Sequence, residues 1–257
     1  MKPPGKPGGF VFGNIAKIFE TGYIYGGYLM ELKPLKRIGT YEQYKLKKFK
    51  DLDNKLLARL HKEWPEGATH AVFQFGERIN NEYKVTKALL AKYNVALIYS
   101  ASPSRIKVKK VPFPETLKLG RVPATKLRLL FIKQSKDLIK KIKQLGPAFR
   151  KEHANALKLL KGSRNIGIYR GGRLVSLSIS IRRKNYLGEN CEWLLWNWTA
   201  PDLSAQEAAA EDETFFGFVK QTRLPVELKT RSFGQANQKL ARARGFIPKY
   251  VTVAKMA

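Results

Sequence analysis

The run Cys191-Glu192-Trp193-Leu194-Leu195-Trp196-Asn197-Trp198-Thr199 constrains the fold most. Its apolar residues do not alternate cleanly with polar ones. As a strand it must therefore be covered on both faces, which puts it inside a sheet flanked by helices. Regular alternation predicts Trp196 and Trp198 on one face and Trp193 on the other, as core residues. Just upstream, Ile166, Ile168, Leu174 and Val175 flank Arg170-Gly171-Gly172-Arg173, which predicts a tight hairpin over residues 165–181.

Periodicity extends this to a mixed α/β (α+β) chain. Residues 10–35, with aromatics among glycines, predict short strands. Residues 41–63 predict a helix with Phe49, Leu52, Leu56 and Leu60 on one face, stopped at Trp64-Pro65-Glu66-Gly67. A strand over 69–75, a helix marked by Ile79, Tyr83, Leu90 and Tyr93, and a strand over 95–99 make a β-α-β unit. Four prolines between 100 and 125 mark a connector or edge strand. Further on, a strand is expected over 127–132, then a helix capped by Ser135 and striped by Leu138, Ile139, Ile142 and Leu145. Gly146-Pro147 ends that helix, and Phe149, His153, Leu157 and Leu160 form the inner face of the next. An acidic, alanine-rich helix near 204–222, a strand at 226–230, a helix at 235–244 and a strand at 250–254 complete the order. The expected organisation is a flexible basic leader (1–9), a small α/β lobe (10–99), a Pro-rich basic connector (100–126) and a second domain (127–257).

Charge narrows the function. The 257 residues carry 49 Lys and Arg against 20 Asp and Glu, a net of +29 and a pI near 10.2, while the hydrophobic share of 44% suffices for a core. The surplus is spread through the chain: residues 1–125 hold 23 basic and 10 acidic side chains, and the remainder 26 and 10. A folded body with this charge repels itself unless it meets a polyanion, so nucleic acid, DNA or RNA, is the expected partner. The expected phosphate contacts are Lys45, Lys47, Lys48, Lys50, Lys107, Lys109, Lys110, Arg182, Arg183 and Lys184. Tyr23 and Tyr25 are candidate base-stacking residues. No stretch of about 18 apolar residues occurs, so no membrane partner is expected. Cys191 is the only cysteine, which excludes an internal disulfide and suits a reducing, cytoplasmic compartment. His61, His70 and His153 are scattered, so no zinc site is expected. There is no P-loop or zinc-finger spacing.

From residue 127 the predicted order is strand, helix, helix, hairpin, central strand, helix, strand, helix, strand. Together with Gly167-Ile168-Tyr169-Arg170-Gly171-Gly172-Arg173-Leu174-Val175 and the tail from Gln235 through Arg244-Gly245-Phe246, it resembles the Gcn5-related N-acetyltransferase fold over about half the chain. The resemblance implies a Gly-rich turn after the central strand for the pyrophosphate of acyl-CoA, and a tyrosine as general acid. Thr199-Ala200-Pro201-Asp202-Leu203-Ser204 stands in place of the first and Ala241 in place of the second. The resemblance therefore implies an acetyltransferase-like domain in which acyl-CoA binds weakly or not at all, and no other cofactor is expected. The function expected is nucleic-acid binding, with transfer of an acyl-type group onto nucleic acid or a bound basic protein as its catalytic form. A non-catalytic binding or packaging protein is the alternative.

A second alternative is a metal-dependent nuclease. Pro201-Asp202 followed by Glu227-Leu228-Lys229 fits the PD-(D/E)xK spacing, in which two carboxylates hold a divalent ion and the lysine positions water. The competing reading makes Asp202 or Ser204 a helix N-cap and Glu227 and Lys229 ordinary residues of one strand face.

Overall fold

The computed structural model describes residues 22–25, 28–31, 34–76, 95–141, 154, 156–231 and 235–255. Its centre is one ten-stranded mixed sheet. The strands are β3 (Pro34–Ile38), β4 (Tyr41–Leu46), β5 (His70–Phe75), β6 (Val95–Ala101), β7 (Leu117–Gly120), β8 (Arg164–Arg170), β9 (Arg173–Lys184), β10 (Asn190–Thr199), β11 (Val226–Arg231) and β12 (Ile247–Ala254), in the order β3-β4-β5-β12-β6-β11-β10-β9-β8-β7. A separate antiparallel pair is made by β1 (Gly22–Tyr25) and β2 (Tyr28–Glu31). The helices are α1 (Asn54–Lys62), α2 (Ala124–Lys141), α3 (Ala205–Lys220) and α4 (Gln235–Ala243).

Two features of the sequence appear as expected. Gly171 and Gly172 take φ of +55° and +78°, the left-handed pair that a two-residue hairpin needs, and β8 and β9 run from that turn. The run from Cys191 is interior strand β10, with β9 antiparallel on one side and β11 parallel on the other. The connector contributes the edge strand β7. The sheet is continuous from one half of the chain to the other, because β6 lies between β12 and β11.

One face is covered by α1, α3 and α4. Leu56, Leu57, Leu60, Phe216, Val219 and Phe246 meet Tyr44, Phe73, Leu97, Tyr99 and Val251 there. On the other face α2 packs Leu127 and Phe131 onto Leu177 and Ile179. Beside them, Tyr186 from the turn after β9 is buried with Val72, Ile98, Trp193 and Tyr250.

Three expectations are corrected. Residues 41–46 are strand, not helix. Tyr44 and Leu46 point into the core under α1 and Gln43 bonds the Tyr186 carbonyl across the other face, so both faces are buried and the pattern carries no strand signal. The helix starts only where the Asp53 carboxylate accepts the Leu56 N–H. Residues 127–132 are helix, within α2. Leu127 and Phe131 are buried while Leu129 is 69% exposed, the spacing of a helix face. Ser135 therefore lies inside that helix instead of capping it. Finally, Trp193 shares a face with Trp198. The register pairs Trp193 with Ile181 and Trp198 with Leu177, and an irregularity between Leu194 and Trp196 resets the alternation. The helix expected over 79–93, the stretch 142–153 with Ile142, Leu145, Phe149 and His153, and residues 10–20 lie outside the described residues.

Candidate functional site

Two features of the sheet bear on function. They lie at opposite ends of β10.

The first is a seam at the C-terminal ends of β10 and β11. These parallel strands pair only at Glu192–Val226, Trp193–Glu227 and Leu194–Leu228. β10 continues to Thr199 against β9, and β11 continues to Arg231 against β6, but the ladder between them stops at the bulge. Two strand edges thus face each other unpaired in the middle of the sheet. One side of the seam is polar. Ser176 Oγ donates to Glu211 on α3 at 2.8 Å, and Ser178 Oγ donates to Asn197 Oδ1 at 2.9 Å. Burial holds the Glu211 carboxyl above its ordinary range, against the lowering effect of its hydrogen bonds from Ser176, Thr199 and Asn197.

The helix that follows the seam, α3, has its N-terminus filled by its own side chains. Ser204 and Glu207 form a reciprocal capping box: Glu207 N–H donates to Ser204 Oγ, and Ser204 N–H donates to Glu207 Oε2 at 2.9 Å. The Ser204 N–H, with that capping bond, holds the Glu207 carboxyl below its usual range. Asp202 binds Arg170 and Arg173, which project from the β8–β9 turn, and Arg170 also reaches Glu207 at 3.1 Å. The hydrogen bond from Arg173 holds the Asp202 carboxyl low. The donors and charge that would receive a pyrophosphate are thus used internally. Sequence reading places the glycine-poor turn correctly but has no signal for the arginine pair, which reaches Asp202 only through the hairpin.

The second feature is a rim of strand ends. β4, β5 and β6 end, and β10, β11 and β12 begin, at the same edge, as the registers require. Lys45, Lys47, Lys48 and Lys50 stand at and just after the end of β4, all exposed. Arg182, Arg183 and Lys184 end β9, opposite Glu192, Cys191 and Asn190 at the start of β10. Lys107, Lys109 and Lys110 follow β6, and their backbone is pinned there. Lys107 N–H donates to the Arg244 carbonyl at 3.0 Å, and Lys109 N–H donates to Glu213 Oε2 at 2.6 Å. Glu213 is itself bound by Arg244 at 2.6 Å, and that guanidinium's hydrogen bond keeps the carboxyl below its ordinary value. From β4 to β9 is six strand spacings, about 29 Å. The three basic segments, far apart in sequence, thus converge on one edge.

Within the set, Arg182 lies 3.7 Å from Glu192, and Arg183 lies over the rings of Trp193 and Tyr186. The ammonium groups of Lys45, Lys47, Lys50, Lys107, Lys109, Lys110 and Lys184 form no salt bridge among the described residues, though the Lys109 charge adds to the lowering of Glu213. Tyr23 and Tyr25 lie in β1, in the separate pair, whose side chains are outside the described ones.

Six of the acids, in contrast, are turned inward. Glu42, Glu192, Glu207, Glu211, Glu213 and Glu227 are all buried. Glu192 accepts from Ser180, from Thr222 at 3.3 Å and from Arg164 at 3.3 Å. Glu227 accepts from Tyr250 at 2.7 Å, Asn185 at 2.8 Å and Lys249 at 3.1 Å. These contacts clamp the turn after β9 onto the sheet. Burial and the Glu227 charge push the neighbouring Cys191 thiol up to about 12, so it stays protonated and inert.

The nuclease pattern is not assembled. Glu227 pairs with Trp193 near the start of β10, while Asp202 follows its end, about 20 Å away along the strand. Asp202 is held by arginines and Glu227 by Tyr250, Asn185 and Lys249, and Lys229 sits two residues beyond Glu227 on the same face. Among the described residues no group of three potential metal ligands occurs.

No family model and no curated protein matches the chain. Solved structures do resemble it. A conserved protein of unknown function from Staphylococcus epidermidis gives a TM-score of 0.44 at 12% identity, over 88% of this chain and 95% of its own. A tandem GNAT protein from the clavulanic acid biosynthesis pathway gives 0.43 at 12%, over 91% and 80%. A GNAT-family acetyltransferase from Colwellia psychrerythraea gives 0.42 at 16%, over 91% and 84%. From β8 onward the order of elements can be set beside the one expected of an acetyltransferase-like fold. The hairpin, bulged central strand, crossover helix, parallel partner strand, helix and final strand follow the expected order, except that a helix replaces the first strand and β6 is inserted before the last. No described helix is long and apolar enough to cross a membrane.

Proposed function

We propose that this chain is a nucleic-acid-binding protein built on an acetyltransferase-like scaffold, and that the strand-end rim is its binding surface. The observation that carries the reading is the convergence of residues 45–50, 107–110 and 182–184 on one edge while six glutamates are buried. Sequestering the acids leaves the solvent-facing surface more positive than composition alone conveys. Lysines that form no salt bridge then meet phosphate without first breaking an ion pair.

Acyl-type transfer is the finer form of this reading, and the open seam between β10 and β11 favours it. The donor would be one that does not seat a pyrophosphate on α3, where Asp202, Glu207, Arg170 and Arg173 already satisfy one another. The seam opens after Leu194, about 13 Å along β10 from the rim, and runs to the far end of the strand about 30 Å from it. Binding at the rim itself requires no chemistry at the seam, so the non-catalytic form accounts for binding as well.

The test compares two double variants of equal charge loss. Lys109→Gln/Lys110→Gln removes rim cations. Lys118→Gln/Lys126→Gln removes cations near Tyr169, at the opposite end of the sheet. The rim pair is expected to reduce the salt slope of binding by about 2 and the control pair to leave it unchanged. Equal effects from both pairs would assign binding to diffuse charge and not to the rim.

A further inference from the structure

Resting on the reading that the rim binds nucleic acid, we infer that its ligand is a duplex, DNA or RNA, engaged through its phosphates over about one helical turn. Three observations lead there. The first is span. The clusters at the ends of β4, β6 and β9 are distributed over about 29 Å, and a B-form DNA duplex advances 3.4 Å per base pair, so all three are met together only by about 9 base pairs of DNA, or a little more of A-form RNA. The second is rigidity. Lys45 and Arg182, Arg183 and Lys184 sit in sheet strands, and the 107–110 segment is tied to Arg244 and Glu213 through its own backbone. A fixed row of charges suits a stiff polyanion whose phosphates are already spaced.

The third is the shortage of exposed stacking surfaces among the described residues. Single-strand binders present aromatic rings on which bases stack. Along the rim the described aromatics Tyr44, Tyr99, Tyr186, Trp193, Phe246 and Tyr250 are buried in the core, Phe49 and Phe75 are partly buried edge-on against each other, and Phe113 alone among the large exposed hydrophobics of the described residues is aromatic. Most rim cations are lysines, point charges without the planar fork that reads guanine edges, so the contacts follow the backbone and not the sequence.

The experiment measures fluorescence polarisation of the full chain with labelled duplexes of about 6, 9, 12 and 18 base pairs, as DNA and as RNA, and with single strands of matching length. Affinity per site is expected to rise at least about tenfold between about 6 and 9 base pairs and then level off. Single strands are expected to bind at least about tenfold more weakly. Lys47→Gln/Lys48→Gln, which empties one end of the row, should shrink the gain between the two shortest duplexes. A merely destabilised protein would instead lose affinity equally at every length. Single strands binding as tightly as duplexes, or affinity indifferent to length below about 9 base pairs, overturns the duplex inference and leaves the rim reading standing. Absence of binding to any of these probes overturns both. The DNA and RNA arms differ only if groove width also matters; equal affinities mark phosphate recognition alone.

Discussion

Replacing Glu227 by alanine tests whether that carboxylate is a structural clamp or part of a metal site. Glu227 is fully buried, and it accepts from the Tyr250 hydroxyl, the Asn185 amide and the Lys249 ammonium. Removing it strands two buried donors and one partly exposed cation. Breaking a buried ion pair by deleting one partner costs about 3–5 kcal/mol. Lys249 keeps Glu189 as a second partner and is 30% exposed, so the lower end applies, about 3 kcal/mol. For a chain of this length that is a fall in Tm of about 6–12 °C. Glu227→Gln keeps an acceptor for Tyr250 and should lose about half as much. Equilibrium urea unfolding and thermal melts of the three proteins, with and without Mg²⁺ or Mn²⁺, provide the measurement. A loss under about 1 kcal/mol in Glu227→Ala would refute the clamp. So would a divalent ion that stabilises the parent protein and not the variant, since that would make Glu227 a ligand.

Other expectations follow from the same structure. Gly245 has φ of +93°, and a Cβ there would meet the Arg105 carbonyl oxygen at 2.2 Å, so Gly245→Ala should destabilise by about 3 kcal/mol or more, measured by the same unfolding titration; a loss below about 1 kcal/mol would contradict it. A fragment of residues 127–257 lacks β6 and so exposes the edges of β11 and β12; it should aggregate on size-exclusion chromatography, and a monodisperse folded fragment would show that the second half closes without β6. Acetyl-CoA should give no calorimetric binding at micromolar concentrations, because the N-terminus of α3 is occupied by Glu207 and Asp202. The Asp202 carboxyl is held below its ordinary 3.8, so its bond to Arg170 and Arg173 is intact above that pH and is lost as the pH falls below it. Tight binding at neutral pH would mean the arginines exchange Asp202 for phosphate.

Much of the architecture is legible in the residues. The Gly171-Gly172 pair gives the hairpin, the largely apolar run from Cys191 gives an interior strand, and Ser204 with Glu207 marks the start of α3. The rest is hidden for physical reasons. Residues 42–44 are buried one after another, so the strand shows no alternation. Residues 127–132 form an apolar run too short to separate helix from strand until Pro123 is recognised just ahead of the helix. Trp193 departs from its expected face because a bulge, set by pairing with β9, resets alternation. The lysine runs are visible in the sequence, but their convergence is not. It depends on β6 lying between β12 and β11 and on β9 ending where β4 ends, which are facts of strand order. The seam, and the arginines that close α3, are likewise hidden in the pairing of strands far apart in sequence.

The salt dependence of nucleic-acid binding tests the central claim most directly. With the rim presenting the basic residues of all three segments and about half of those ten meeting phosphate, log K for a duplex should fall with log salt at a slope of about −4.5 or steeper. A slope near zero, or no binding at low ionic strength, would contradict the account.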